Sequence, residues 1–584
     1  MINFDSLTLS ALTEELKEAL KGSRIHRVQQ PSKYELLLTI RAGGKNRRLC
    51  ISAHPKYAYI SLLDHSKRSF VNPQSPPMFC MLLRKHMEGA KIVDIIQPDN
   101  ERILEIYFES FNELGDRQMM TLACEIMGKY SNVILYITDS KLILGCAHNV
   151  GELMSSRREL AGSLPYVYPP VQTKLNLLSL SKKQFAGMTL ALSEPFDVWL
   201  STSFHYISRA LARELCHVCG VSYQDCPVNR LENIETLYEL AYELLSEKRF
   251  KPSLSVDMRY YSLLALDPDV EWLPVSTVNE MVDRYFAHHI NIDTFSQLQK
   301  NLISRVKREI KKVNDRIKKY DEVLAKADKA DEYRQKGDIL MANFNSVEPG
   351  LKSIVLENFY ANQQLVTIEL DPLLTASQNA QRFFKQYNKA KSSYKVTQQR
   401  KKTEEEEKDY LKGILISIEY STDKETLDEI KEELDLRQQK HHKKTGNQKK
   451  EKSKVSVKKF LSTDDLEIFV GKNNRQNDFL LSRLAHPMDL WVHTQMAHGA
   501  HVIIKTNRGQ QDIPESTLHE AALLAGYFSE GRYSSTVPVV YTLKKFVKKP
   551  AGANPGFVVY SNEKTLYVNP LEEHVRPVLD RKLS

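Results

Sequence analysis

Five side chains able to do chemistry crowd into the stretch DLWVHTQMAHGAH: Asp489, Trp491, His493, His498 and His501, all within thirteen residues. Such a set could hold a metal, move a proton or grip a polar partner. Zinc is disfavoured, because the helical His-Glu-x-x-His spacing is missing, no Cys lies C-terminal to Cys226, and three His on a strand-turn-strand lack a closing ligand. In an extended segment Leu490, Val492 and Thr494 point one way, and Asp489, Trp491 and His493 the other. Two readings of the second face stand. In one, Trp491 offers a stacking ring flanked by Asp489 and His493, while Lys472, Arg475, Lys505, Lys544, Lys545, Lys548 and Lys549 bring positive charge; aromatic rings with cations are an RNA-binding chemistry. In the other, Trp491 is a core residue and Asp489 bonds His493 to brace a turn. Neither reading needs a cofactor or a metal, and none is expected.

The elements that must position these residues follow from periodicity. Short β-rich runs separated by turns occupy 34–63 and 91–147, with one helix, Pro77 to Met87, inserted. The N-terminus MINFDSLTLSALTEELKEAL reads as an amphipathic helix with Leu9, Leu12, Leu16 and Leu20 on one face, not as a signal peptide. From about Ser179 to Lys248 the period is helical, and LSVDMRYYSLLAL then resumes an extended pattern. Ile303, Val306, Ile310, Val313, Ile317, Tyr320, Leu324 and Ala327 form a coiled-coil seam. A break at 343–373 precedes a second helical stretch, about Ser377 to Gln439, so the two make an antiparallel arm about 50 Å long at about 1.5 Å per residue. The middle of the second stretch, RKKTEEEEK, has no seam residue, and a loose return is expected there.

The expected fold class is therefore multidomain α+β. A β-rich domain spans 1–172, with 251–292 returning to it; a helical domain spans 173–250, a coiled-coil arm 293–439, a basic linker 440–454 and an α+β domain 455–571. With 584 residues and 42% apolar composition the chain can build several cores. Seven cysteines, odd in number and confined to the first 226 residues, read as reduced thiols. No window reaches the length of a membrane span, and a cytoplasmic location is expected. The net charge of +9 is local: between Lys440 and Lys459 stand nine Lys against one Glu. Nine cations against two acids lie between Lys300 and Lys319, a pattern equally suited to a solvated helix face and to nucleic acid. No phosphate loop and no nucleophile beside a base is found, so no enzyme is expected.

Longer motifs add a resemblance. VGKNNRQNDFLLSRLAHPMDLWVHT, AHGAHVIIK and VKKPAGANPGFVVY resemble the RNA-binding domain of the NFACT family, with its D-x-W-x-H signature. FCMLLRKHMEG, EIMGKYSNVILY and RRELAGSLPYVYPP resemble its N-terminal domain, and GDILMANFNSVEPG with ELDPLLTASQNAQRFFKQYNKAK its coiled-coil middle. The resemblance implies a glycosylase-like N-terminal domain and a helix-hairpin-helix module. It implies ribosome-associated quality control: binding of a large (50S) ribosomal subunit that still holds peptidyl-tRNA, and recruitment of alanyl-tRNA for an untemplated alanine tail that marks the chain for degradation. Implied partners are ribosomal RNA, alanine tRNA and a small RNA-binding quality-control cofactor.

The family's Asp-Arg pair for tRNA selection falls on Glu101 and Arg102, with Glu in place of Asp, and tRNA contact is implied also at Glu125 and Lys129. In FHYISRALARELCHVCGV, Tyr206 stands where the hairpin's Gly is expected; Arg209 and Arg213, one turn apart, are placed either to reach a nucleic-acid backbone or to pack. Two other classes fit parts of the pattern. A DNA glycosylase of this resemblance would use an N-terminal proline amine, and residue 2 is Ile. A fibronectin-binding surface adhesin is the alternative function, against which the lack of an export signal counts.

Overall fold

The computed structural model describes residues 4–583 apart from 64–67, 69, 112–114, 153–157, 171–172, 191, 193, 225–230, 328–329, 442–454, 456, 507–508 and 510–511. Cys226 and most of the basic linker 440–454 thus lie outside the described residues. The chain divides into two compact units, Met1–Asp293 and Thr294–Ser584.

In the first unit, helix α1 (Ser6–Leu20) starts at Asp5, whose carboxylate accepts from the Thr8 N–H at 2.8 Å. Its Leu9, Leu12, Leu16 and Leu20 are fully buried, as their three- and four-residue spacing requires. Strands β1 (Arg24–Ser32), β2 (Glu35–Ala42), β3 (Lys45–Ala53) and β4 (Ala58–Leu62) form one meander; helix α2 (Met78–Met87) then leads to a second, β5 (Lys91–Ile96), β6 (Ile103–Phe111), β7 (Arg117–Glu125), β8 (Asn132–Ile137) and β9 (Ile143–Cys146). The two join edge to edge through Arg24 and Lys91 into a nine-stranded antiparallel sheet, ordered β4-β3-β2-β1-β5-β6-β7-β8-β9.

Helices α3 (Lys182–Thr189), α4 (Phe196–Ser203), α5 (Arg209–Val218) and α6 (Leu231–Glu247) pack around Phe185, Trp199 and Phe204. Strands β10 (Ser253–Ser255), β11 (Tyr261–Ser262) and β12 (Trp272–Pro274) make their own small sheet and do not extend the large one. Their segment still returns to the first core through the buried Leu254 and Leu263, as does the start of helix α7 (Val278–Ala327): Phe286 stacks on Tyr59 at 4.4 Å, and the Val278 and Asn279 N–H groups donate to Glu15.

In the second unit α7 supplies Leu302, Val306 and Val313 to a core shared with Leu411, Ile414 and Ile418 of helix α9 (Ala376–Glu419) and Leu427, Ile430 and Leu434 of helix α10 (Lys424–His441). The expected single returning helix is therefore two, broken at Tyr420–Asp423, and the base of the arm is three-helical. Asp423 makes the break by accepting from the Thr426 N–H at 3.0 Å. The RKKTEEEEK segment is continuous helix, not loose, because Arg316–Glu404 at 2.8 Å and Lys401–Asp321 at 2.7 Å replace the missing apolar seam with charge pairs. The far end is capped by helix α8 (Ala330–Ala342) and the hairpin β13 (Ser353–Asn358) with β14 (Gln364–Glu369), closed around Ile339, Leu340 and Ile368.

The C-terminal sheet contains β15 (Lys458–Leu461), β16 (Glu467–Gly471), β17 (Leu490–Thr494), β18 (His501–Ile504), β19 (Val537–Leu543), β22 (Lys564–Val568) and β23 (Lys582–Leu583), ordered β22-β19-β17-β18-β16-β15-β23. Helices α12 (Glu515–Tyr527) and α13 (Glu572–Leu579) contribute to the core on one face; helix α11 (Asn474–Phe479), the π turn Leu480–Leu484 and the hairpin β20 (Val547–Lys548) with β21 (Val559–Tyr560) flank the other.

Asp423 ties this sheet to the arm. It pairs with Lys458 at 2.9 Å and lies 3.9 Å from Lys472. Burial alone would raise its carboxyl, but hydrogen bonds from Thr426 and Lys458 hold it well below the usual range. Asp423→Ala should lower stability by about 3 kcal/mol, since it leaves the amines of Lys458 and the buried Lys472 without their carboxylate and removes a cap, whereas Lys401→Ala on the solvated arm should leave it nearly unchanged; urea unfolding of the full chain checks both.

Candidate nucleic-acid interface

Glu101 and Arg102 lie on a turn that the backbone holds unusually. Asp99 and Asn100 both take left-handed conformations, with φ of 49° and 58°, which Asp and Asn tolerate better than other side-chain-bearing residues. The Glu101 carbonyl accepts from Gln97 Nε2 at 2.8 Å, and that of Arg102 from the Ile126 N–H at 2.8 Å. Tyr206, where a Gly was expected, adopts the left-handed conformation that Gly would supply, with φ of 67°, and its hydroxyl donates to the Asn100 side chain. The turn is thereby pinned to the helical module.

Arg102 has no carboxylate partner among the described residues. It lines a cleft of about 610 Å³ with Ser208, Arg259, Tyr260 and His289, and Tyr260 is 56% exposed. Lys129 is exposed on the neighbouring turn, 4.8 Å from the ring of Tyr130, itself 69% exposed. Tyr130 and Tyr260 were not singled out in the sequence, since a displayed Tyr carries no periodic signal. Glu125 does not belong to this surface. It is fully buried, gripped by Arg158 at 2.7 and 2.5 Å, and accepts from the Tyr166 hydroxyl at 2.9 Å; it braces β7 beneath the cleft.

The two hairpin arginines share one internal carboxylate. Arg209 Nε and Arg213 Nε donate to Asp197 Oδ2 at 2.9 and 2.6 Å. Burial favours protonation of Asp197, but the two guanidinium groups hold its carboxyl below the usual range. Packing is thus the first role of both, although about half of each side chain stays exposed. Among the described residues one trio of possible metal ligands converges, His217, Asp267 and Asp269, within 4.8 Å; it is largely exposed. Cys216 and Cys219 carry thiols raised by burial, which suits inert packing more than redox chemistry.

In the C-terminal domain the displayed-Trp reading fails. Trp491 is fully buried, 5.6 Å from the parallel ring of His493 and 5.5 Å from the perpendicular ring of His501, with Tyr560 at 5.1 Å. Asp489 is buried too and does brace a turn, but its partners are Lys505 Nζ at 2.8 Å, the Thr506 N–H at 3.1 Å and the His486 N–H at 2.7 Å, not His493. Alternation placed the side chains correctly; both faces of the sheet are covered, so neither is displayed.

Most of the expected cations are engaged as well. Lys472 is buried, donating to Thr422 Oγ1 at 3.1 Å and lying 4.3 Å from the ring of Phe528. Burial and the adjacent Lys458 push its ammonium well below the ordinary lysine range. Arg475 pairs with Glu432 at 2.8 Å and Lys549 with Asp478 at 2.5 Å. Lys544, Lys545 and Lys548 make no ion pair among the described residues, and Lys545 and Lys548 are exposed on a rim where the Lys545 ammonium lies 5.1 Å from the ring of Phe546. A second display was missed by the sequence reading: Arg532 lies 3.9 Å from the ring of Tyr527 and 5.5 and 5.7 Å from those of Tyr420 and Tyr533, and Tyr533 is 77% exposed. The GRY triplet after α12 was its only local signal.

The displayed chemistry at the cleft and at both C-terminal rims is cation beside aromatic ring, the chemistry of a nucleic-acid-binding class of protein. The chain belongs to the NFACT family: residues 5–454 match its N-terminal and middle domains, and residues 456–561 match the NFACT protein RNA binding domain. It is 34% identical over 574 residues to "Rqc2 homolog RqcH" of Bacillus subtilis (strain 168), covering 97% of this chain and 98% of the relative. It is 32% identical over 579 residues to the protein of the same name in Streptococcus suis (strain 05ZYH33), covering 98% and 99%. A solved N-terminal part of the fibronectin/fibrinogen-binding protein from Streptococcus suis is 31% identical, covers 49% of this chain and 99% of that one, and superposes with a TM-score of 0.40. Among the described residues no helix is long and apolar enough to cross a membrane.

Two outcomes follow from the buried aromatic cluster. Trp491→Ala should cost about 3–5 kcal/mol of stability and leave RNA affinity unchanged below the new melting temperature, as melting and binding measured on one preparation would show. His493 keeps an open edge, but burial lowers its pKa to about 4, and His501 is lowered further by burial and by His493. Both are neutral in the fold and bind protons more readily when unfolded. The stability they contribute is complete above about pH 6.5 and is lost as pH falls from there through about 4. Urea midpoints across that window should fall more steeply for the native chain than for His493→Gln.

Proposed function

We propose that this protein acts in ribosome-associated quality control as a non-enzymatic elongation factor. It binds a large ribosomal subunit that retains peptidyl-tRNA and brings alanyl-tRNA to it. The ribosome itself forms each peptide bond, and the untemplated alanine tail marks the nascent chain for degradation. The near-full-length similarity to relatives named Rqc2 homolog RqcH carries this reading, and the geometry of Arg102 supports it. Arg102 lines the cleft on a turn whose backbone Gln97 and Tyr206 hold, and with no carboxylate partner among the described residues its guanidinium is available to a tRNA base or phosphate. Glu101 beside it can accept from a base edge. Ribosomal RNA falls to the lysine rim Lys544–Lys545–Lys548 and the Arg532–Tyr533 platform, and a small RNA-binding cofactor is a further partner in this scheme.

Sequencing the RNA that copurifies with the protein tests the assignment directly. Alanine tRNA and large-subunit RNA should be enriched. Arg102→Ala should keep subunit binding but weaken tRNA retention tenfold to hundredfold, the loss of about 1.5–3 kcal/mol expected for a hydrogen bond to a charged group. Normal tRNA recovery with this variant would remove Arg102 from the site.

A further inference from the structure

Four lysines lie along one face of α7. Lys300, Lys307, Lys311 and Lys318 are all exposed, and none makes an ion pair among the described residues. At 3.6 residues per turn, steps of seven, four and seven keep all four within about 40° of one line along the helix, spread over about 27 Å. Three other cations of this stretch are engaged, while Arg308 and Lys319 are exposed to either side of the line and make no ion pair among the described residues. Arg305 pairs with Asp435 at 2.7 Å, Arg316 with Glu404 at 2.8 Å, and Lys312 with Glu309 at 3.0 Å. Asp315 and Glu322 flank the line without pairing to it. Between Lys300 and Lys311 the helix surface forms a shallow groove of about 480 Å³ floored by Ile303 and Ser304.

We infer that this stripe is a docking surface for the phosphate backbone of double-helical RNA, a partner that deepens the ribosomal reading above and rests on it. Three features select that partner. The line is straight and mounted on a rigid helix, so it tracks a straight rank of charges. Its cations are lysines, point charges that accept any phosphate geometry, whereas Arg305 and Arg316 of the same segment turn to protein carboxylates. Finally, no aromatic side chain shares the face, so it lacks the stacking surface that holds unpaired bases, and double-helical RNA is met largely through shape and phosphates. A duplex presents about one charge per 1.7 Å of axis, ample for four contacts over this length.

The test uses the full chain and an RNA duplex of arbitrary sequence, about 24 base pairs long so that it exceeds the stripe, with a single strand of the same length for comparison. Dissociation constants are measured by fluorescence anisotropy between about 50 and 200 mM salt. Replacing all four lysines by Gln should weaken duplex binding at least tenfold and reduce the slope of log affinity against log salt by about four, one per lost phosphate contact. Replacing them by Arg should restore both. An unchanged melting temperature shows that the exposed changes leave the fold intact. A slope unaltered by the Gln set, or a native chain that ignores duplex, overturns the inference. Co-sedimentation with large ribosomal subunits is measured in parallel. A native chain that binds duplex but not subunits removes the functional reading and leaves the stripe standing; a Gln set that loses subunits at unchanged duplex slope makes the stripe a protein contact and refutes the RNA assignment.

Discussion

Within the second unit, the acidic side of α10 is the contact on which the arrangement of the rest depends. Asp423, Glu429 and Glu433 turn carboxylates toward the C-terminal domain, where Lys458, Lys472, Asn473, Asn474 and Gln476 answer them, with Asn473 and Gln476 both donating to Glu429 at 2.8 and 2.9 Å. Burying three carboxylates is costly unless each is paired or hydrogen-bonded. Here every one is, and these bonds hold α10 against α11. Apolar packing of Leu427, Ile430 and Leu434 supplies cohesion; the polar set supplies register. Gly413 of α9 comes so close to His498 that a Cβ there would lie 3.1 Å from its Nδ1, which fixes the same seating from a second helix.

A similar logic organises the first unit. Glu105 is buried in β6 and accepts from the hydroxyls of Tyr107, Tyr136 and Tyr168 at 2.5, 2.7 and 2.7 Å. Glu125 takes Arg158 and Tyr166, and Asp197 takes Arg209 and Arg213. Each internal carboxylate neutralises cations or orders phenols that a reader of the sequence could send to RNA. Among the described residues Arg102 and Lys129 near the cleft, Lys544, Lys545 and Lys548 on the C-terminal rim, and the lysine line on α7 are among the cations left without an ion pair after these demands are met. Unsatisfied positive charge, not total positive charge, marks the surfaces available to a polyanion.

The turn at Asn100 shows how local strain and function can share residues. Left-handed Asp99, Asn100 and Tyr206 each carry a conformational cost, and the Tyr206–Asn100 hydrogen bond links two of them across the boundary between sheet and helical module. The result is a short rigid platform at the start of β6 that presents Arg102 without tying up its guanidinium. A Gly at 206 would relax the backbone and lose that link.

The sequence by itself determined the properties carried by neighbours along the chain. Leucines at 9, 12, 16 and 20 made α1 amphipathic, alternating runs made the strands, and the seam of α7 announced a coiled coil. The break between α9 and α10 escaped the sequence reading, because a lone capping residue such as Asp423 in STDKE is a weak signal between two charged helical stretches. Only tertiary structure could decide Trp491, Glu125 and Lys472. Period-two alternation assigns side chains to faces, but what covers a face comes from remote segments, Leu480–Leu484 and Tyr560 for Trp491, Arg158 for Glu125, and the Thr422–Asp423 turn for Lys472. Burial is a property of the assembled surface, and a charge is a ligand for RNA only where no internal partner has reached it first.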